Sequence, residues 1–299
     1  MFIRFGFDMV YDCTQPTPMI LALNVRPSLR PRLLVPDRLF TDKPVRISGY
    51  QDSFGNWCSR IVAPVGRLRL MVDAIIQDSG APEPVMSQLG QLPVEALPDD
   101  TLVYLLGSRY CETDLLSNIA WNLFGNTPPG WSRVQAICDW VHQHIQFGYQ
   151  YARSTKTAWE VYNEGRGVCR DFAHLAVAFC RCMNIPARYC TGYLGDIGVP
   201  PVDAPMDFAA YFEAYLDGKW CTFDPRNNQR RIGRLQVACG RDAADVAIAN
   251  TFGTNFLSEF RVWTDEVDSN AVDGPDYLLT KGAPVNAVRN WASWRAQAA

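Results

Sequence analysis

The residues with the clearest chemical potential in this sequence surround one cysteine, in the stretch Gly165-Arg166-Gly167-Val168-Cys169. The two glycines allow a tight backbone turn, and an apolar run that begins at Phe172 predicts a buried helix after the cysteine. A thiol at a helix N-terminus lies beside unpaired N–H groups and the positive end of the helix dipole, which stabilise a thiolate and can receive an oxyanion. The pattern indicates a nucleophile. The alternative is one more buried thiol, which is the commoner role of a free cysteine.

Length and composition are those of an ordinary globular protein. The chain has 299 residues, 48% of them hydrophobic and 20% charged, which suffices for two domains or one large one with a sizeable core. The formal net charge of −3 does not indicate a nucleic-acid partner or an anionic membrane surface, and we expect neither. The first residues lack a basic region and a long apolar region, and no apolar run approaches the length that crosses a bilayer.

The cysteines bear on metal binding and on cellular location. The ten cysteines are scattered without a C-x-x-C pair, and Cys180-x-Cys182 has no matching cluster of histidines or cysteines, so we expect no zinc site. In a chain of this size without a secretion signal, free thiols in a reducing compartment are expected. The predicted location is therefore the cytoplasm.

Turn residues and linker composition divide the chain. Short apolar runs, separated by turns such as Pro16-Thr17-Pro18, predict an all-β, sandwich-like domain over residues 1–80. A stretch rich in Pro, Ser, Gly and acidic residues predicts a linker over 81–100. Residues 101–299 follow as the second unit.

Helices are predicted early in the second unit and strands later. Apolar spacing predicts a helix over 131–147 and the cysteine helix to about Met183. Three strands are predicted next, the last two joined by a hairpin turn at Asp217-Gly218, and the loop before this hairpin is expected to form the rim of a cleft. Further strand is expected over 246–267, and a loosely attached helix over 285–299.

None of the three histidines is expected to act as a proton acceptor for Cys169. His142 and His144 are two positions apart on one predicted helix, so they point about 200° away from one another and cannot share a substrate. His174 lies on the cysteine helix itself, where a packing role is expected.

Four segments, in this order, resemble the transglutaminase-like branch of the papain-like cysteine enzymes. They are Gly167 to Leu175, Arg188-Tyr189-x-x-Gly192-Tyr193, Phe212 to Trp220, and Phe223-Asp224-Pro225. The N-terminal unit, with Tyr50 to Asn56, is similar to the β-rich domain that precedes this core in bacterial cysteine peptidases of the group. The resemblance implies an α+β fold, in which a papain-like core of helices packed on an antiparallel sheet follows the N-terminal domain.

The resemblance also implies a cysteine, histidine, aspartate triad that needs no metal or organic cofactor. Cys169 is the implied nucleophile, which forms an acyl-enzyme with an amide substrate, and Asp224 is the residue that orients the histidine. The histidine is missing. In the family this strand normally begins His-Ala-aromatic-Phe-Glu, whereas here it begins Ala209-Ala210-Tyr211-Phe212-Glu213, so Ala209 occupies the position of the general base.

Two explanations of Ala209 follow. The chain is an engineered inactive variant, which we favour because a single clean change leaves the cysteine, the aspartate and the glycines intact. Alternatively it is a natural pseudoenzyme that keeps the cleft as a peptide-binding module. The predicted partner is a peptide or protein in both cases, and the predicted family chemistry is that of a thiol-dependent hydrolase or acyltransferase.

Other polar groups are expected to have structural roles. Asp171 lies in the first turn of the cysteine helix and Glu213 belongs to a strand pattern. Aromatic residues such as Tyr149 could line the cleft, although most are expected in the core. A group of arginines after the hairpin could bind an acidic substrate, although a solvated face is the commoner case; it comprises Arg226, Arg230, Arg231, Arg234 and Arg241.

Overall fold

The structure, a computed structural model, describes residues 1–203 and 205–267. The tail predicted as a helix over 285–299 lies outside the described residues. Within them, no helix is long and apolar enough to span a bilayer.

Strands make up most of the regular structure. Their bounds are β1 (Phe2–Cys13), β2 (Thr17–Leu21), β3 (Leu33–Val35), β4 (Phe40–Thr41), β5 (Ser48–Gln51), β6 (Trp57–Ala63), β7 (Gly66–Gln77), β8 (Gln146–Phe147), β9 (Arg166–Gly167), β10 (Ala187–Tyr193), β11 (Ala209–Leu216), β12 (Lys219–Phe223), β13 (Leu235–Gly240), β14 (Ala249–Thr251) and β15 (Asn255–Val267).

The helices lie between β7 and β10. Their bounds are α1 (Asp99–Leu102), α2 (Thr113–Phe124), α3 (Trp131–His144), α4 (Ala158–Glu164) and α5 (Cys169–Cys182). Helix α3 ends three residues before the predicted end at 147, because the chain there turns into β8, which pairs in parallel with β9 just before the cysteine.

Two antiparallel sheets form the N-terminal region. One has the order β15-β1-β7-β3 with β4 also paired to β7, and the other has the order β14-β2-β6-β5. The alternation of apolar residues places side chains such as Ile3, Phe5 and Phe7 between the sheets, where they are fully buried. A sheet-rich N-terminal region is therefore confirmed.

The last strands return to these N-terminal sheets. Strand β15 pairs along the whole length of β1, from Phe2 opposite Val267 to Cys13 opposite Asn255, and β14 pairs with β2. The sequence places residues 246–267 in the second unit as an extension, whereas the structure uses them to complete the first. Such pairings join residues distant in the sequence and leave no local pattern.

The second unit packs helices on an antiparallel sheet of order β12-β11-β10-β13. Helix α5 is its centre, because every residue from Asp171 to Cys182 is buried. Its apolar side chains pack against α2, α3 and α4 on one side and against β10 and β11 on the other. The predicted α+β fold is confirmed, and α5 is held on all sides with only its first turn near the surface.

Candidate active site

Cys169 is the first residue of α5. The backbone before it is fixed by the β8–β9 pairing and by Asp171, whose carboxylate accepts a hydrogen bond from the Val168 N–H at 2.9 Å. Gly167 permits this arrangement, since a Cβ at that position would lie 2.6 Å from Asp171 Oδ2. Gly165 has φ +61° and ends α4 in the left-handed conformation. The glycines and Asp171 therefore position the thiol.

Two cavities meet at this thiol. The first has a volume of about 160 Å³ and the second about 410 Å³. Both are lined by Tyr149, Cys169, Asp207, Phe208 and Ala210. The half-buried cysteine thus lies in a cleft with a cavity on either side, and residues of the loop before β11 form part of its rim, as expected from the sequence.

Ala209 begins β11 and lines the first cavity together with Cys169. Its register partner is Gly192 on β10. Among the described residues that line the two cavities, none is a histidine. No imidazole therefore faces the thiol in the part of the cleft that the structure describes.

Each of the three histidines is engaged elsewhere. His142 is exposed, and its Nδ1 lies 3.0 Å from the Pro225 carbonyl oxygen. His144 stacks on Trp140, with its Nε2 2.7 Å from the Tyr162 carbonyl oxygen.

His174 is fully buried and stacks on Tyr110, and its Nε2 accepts a hydrogen bond from the Ala243 N–H at 3.1 Å. Burial and the nearby Arg170 and Arg181 lower the pKa of His174 well below its usual value. The ring is therefore a neutral packing element.

Asp224 follows the end of β12 and is buried. Its Oδ1 accepts a hydrogen bond from the Asn227 N–H at 3.0 Å, and its Oδ2 accepts from Asn227 Nδ2 at 2.7 Å and from Arg234 Nη2 at 2.9 Å. Burial alone would raise the pKa of Asp224, but Arg234 and Asn227 hold it below its usual value. The carboxylate is ionised, and it accepts one hydrogen bond at Oδ1 and two at Oδ2 from Asn227 and Arg234.

The charged side chains that shift the pKa of the Cys169 thiol are carboxylates. Burial raises the pKa of Cys169 to about 11, and Asp207 and Asp224 also raise it, whereas the N–H groups of Ala210 and Arg170 lower it. A histidinium beside the sulfur would have the opposite effect, because an opposite charge favours the thiolate. At neutral pH this thiol is protonated.

Sequence reasoning missed the residues that hold Asp224. No motif marks Asn227, and Arg234 is one of several arginines in its segment. Arg234 also bonds Glu83, which lies in the predicted linker. A sequence signal for Asn227 is its position three residues after Asp224, a spacing at which a capping aspartate accepts a backbone N–H.

The model of the transglutaminase-like superfamily matches residues 118–225, which include Cys169, Ala209 and Asp224. The crystal structure of a candidate cysteine protease from Cytophaga hutchinsonii is similar at 31% sequence identity, with 90% of this chain and 91% of that chain covered and a TM-score of 0.77. This chain belongs to the transglutaminase-like superfamily.

Relatives of this transglutaminase-like protein occur in mycobacteria. An uncharacterized protein of Mycobacterium tuberculosis is 28% identical over 247 residues, which cover 75% of this chain and 77% of that one. An uncharacterized protein of Mycobacterium leprae is 37% identical over 121 residues, or 38% of this chain, and this match spans only 42% of the M. leprae protein. The similarity to the C. hutchinsonii protein extends through both units. Together with the family match, it supports the prediction of a transglutaminase-like cysteine peptidase.

Proposed function

We propose that this fold breaks or transfers peptide or isopeptide amide bonds through a thioester on Cys169. The observation that carries the proposal is the placement of the thiol at the first residue of α5, in a cleft with a cavity on either side. A chain that lies across this cleft would bring a carbonyl carbon to the sulfur, with the helix N-terminus available for the developing oxyanion.

In the proposed reaction the thiolate attacks the carbonyl carbon and the amine leaves. The thiol proton passes to a base and then to the departing amine, so that a thioester remains on Cys169. Water then gives a carboxylic acid, or a second amine gives a new amide, and Cys169 is released in either case. The base and acid of these steps is the residue that Ala209 replaces.

We further propose that the chain with Ala209 is inactive. An alanine neither accepts a proton nor pairs with a thiolate, and the two carboxylates that act on Cys169 disfavour its ionisation. Removal of the base from a cysteine–histidine pair costs several orders of magnitude in rate.

A second candidate function is a natural peptide-binding module built on the same cleft. The contacts of Asp224 favour it, since Asn227 and Arg234 already donate three hydrogen bonds to the carboxylate that would otherwise orient a histidine. In this case the cleft binds peptides without turnover. A peptide or protein partner and a cytoplasmic location belong to both proposals, and the location is supported by ten free cysteines, which are typical of a reducing compartment.

The test is an Ala209→His variant incubated with a broad panel of peptides, with and without an added amine, and followed by mass spectrometry. We expect the parent to leave the panel unchanged and the variant to release cleaved or amine-conjugated products. Free imidazole added to the parent should restore part of this activity, because the missing side chain leaves room beside the thiol.

Two controls make the result specific. Ala152→His introduces a histidine into the second cavity of the cleft, away from β11, and should stay inactive. Cys169→Ala should abolish activity in the Ala209→His protein. If the restored protein is silent on the whole panel but binds peptides, the binding module is the correct function; equal activity of both histidine variants would contradict the role of position 209.

A further inference from the structure

The five arginines after the hairpin differ in their partners. Two of them, Arg226 and Arg230, have no carboxylate among their contacts in the described residues, and Arg230 donates to the carbonyls of Pro82 and Glu83. The other three bond acidic side chains: Arg231 bonds Asp196 and also the Gly195 carbonyl, Arg234 bonds Glu83 and Asp224, and Arg241 bonds Asp245.

Arg226 lines the first cavity together with Cys169. Its guanidinium lies over the Phe147 ring at 4.4 Å and donates to Asn227 Oδ1 at 2.5 Å. The backbone that carries it is held by His142, whose Nδ1 is 3.1 Å from the Arg226 carbonyl oxygen. The guanidinium is therefore oriented by a neutral ring and a neutral amide, and its charge is left uncompensated by the protein.

Arg226 is distinguished from the other cations of the cleft by this lack of a counter-charge. Arg231 of the same cavity is paired with Asp196. In the second cavity, Arg153 is paired with Glu160 and Glu164, and Arg170 with Asp171. Among the cationic side chains that line the described cleft, Arg226 alone has no ion pair.

We propose that Arg226 binds a carboxylate of the substrate, so that the cleft selects peptides with a free carboxylate next to the group that reaches Cys169. This rests on the proposed function of the cleft as a peptide site. Planar guanidinium groups suit carboxylates because they can donate two parallel hydrogen bonds. The carboxylate can come from an acidic side chain or from a peptide C-terminus, and both present the same planar group.

The other charges at the thiol restrict where this carboxylate can lie. Asp207 lines both cavities and is exposed at the rim, and no ion pair joins it to Arg226. Asp196 is held by Arg231, and Asp224 by Arg234. Asp207 lines both cavities whereas Arg226 lines only the first, so an acidic group is favoured in the first cavity relative to the second.

The proposal is tested by alkylation of Cys169 in the parent protein, which needs no turnover. Iodoacetate carries a carboxylate and iodoacetamide does not, and mass spectrometry of a digest separates Cys169 from the nine buried cysteines. We expect Arg226→Gln to lower the iodoacetate-to-iodoacetamide rate ratio about three- to tenfold, Arg226→Lys to keep most of it, and salt to lower the ratio of the parent.

Arg230→Gln is the matched control, because this neighbour removes the same charge outside both cavities and should leave the ratio nearly unchanged. An Arg226→Gln ratio equal to that of the parent overturns the proposal, as does an equal loss in Arg230→Gln. The salt dependence of the rate ratio is measured on the parent protein, so this result does not depend on whether a variant folds.

The source of the carboxylate is determined by protection of Cys169 from iodoacetamide. The probes are N-acetyl-Ala-Glu-amide, N-acetyl-Ala-Gln-amide and N-acetyl-Ala-Gln with a free C-terminus. Protection by the first assigns an acidic side chain, protection by the third assigns a C-terminus, and equal protection by all three overturns the proposal. If the Ala209→His protein is inactive but Cys169 alkylation keeps its charge selectivity, only the proposed catalysis is contradicted. If the Ala209→His protein is active but the charge selectivity is absent, only the proposed role of Arg226 is contradicted.

Discussion

Asn227 bonds both oxygens of Asp224, with its backbone N–H 3.0 Å from Oδ1 and its side-chain nitrogen 2.7 Å from Oδ2. A histidine at position 209 would need one of these oxygens as the acceptor that fixes its ring orientation. The amide of Asn227 therefore competes with the contact that a working triad requires.

This competition predicts a synergy between two substitutions. Ala209→His combined with Asn227→Ala should turn over peptides about tenfold faster than Ala209→His alone, because Asp224 Oδ2 then keeps only Arg234 as a donor and can accept a hydrogen bond from the imidazole. Asn228→Ala is the control, since the Asn228 side chain bonds Asp139 and Gln135. Equal rates for the single and double variants would show that Asn227 does not restrict the histidine.

Arg234 is predicted to be the main electrostatic support of Asp224. It is almost fully buried between Asp224 and Glu83, so Arg234→Met would leave a buried carboxylate without its cation and lower the free energy of unfolding by about 3–5 kcal/mol. Arg241→Met removes a more exposed pair with Asp245 and should cost less than about 1 kcal/mol. Urea unfolding of both variants checks this, and similar losses would contradict it.

His174 is predicted to make the fold acid-sensitive. Burial, first of all, lowers the pKa of His174 in the folded state, so below pH 6.5 the unfolded chain binds a proton that the folded chain does not. Stability from this group should fall as the pH drops through 6.5, with a slope of up to about 1.4 kcal/mol per pH unit. His174→Gln should be less stable at pH 7.5 and lose less between pH 7.5 and 5; an unchanged slope in urea titrations would refute this.

Local pattern predicted the elements that position Cys169. The cysteine helix begins at Cys169 because apolar residues follow it and Gly167 permits the approach of Asp171. The hairpin of β11 and β12 follows from the alternation around Asp217-Gly218. These features depend on residues close in the sequence, so a single chain reveals them.

Contacts between distant segments were not predictable in the same way. The pairing of β15 with β1 joins the two ends of the described chain, and the Glu83–Arg234 contact joins the predicted linker to the residue just before β13. Among five arginines of similar context, only the three-dimensional structure shows that Arg226 lines the cleft without an ion pair. Which charged side chains form pairs here depends on how the two units pack against each other, and the spacing of these residues in the sequence does not predict it.

The most direct test of the account is the pH dependence of iodoacetamide alkylation at Cys169, resolved from the other cysteines by mass spectrometry. With burial and two carboxylates acting on the thiol, the rate in the parent should still rise between pH 9 and 10, toward a pKa of about 11. Ala209→His should shift the rise to lower pH, because an imidazolium favours the thiolate. A parent protein whose alkylation rate already reaches its plateau by about pH 7 would contradict the account, since it would show that another group activates Cys169.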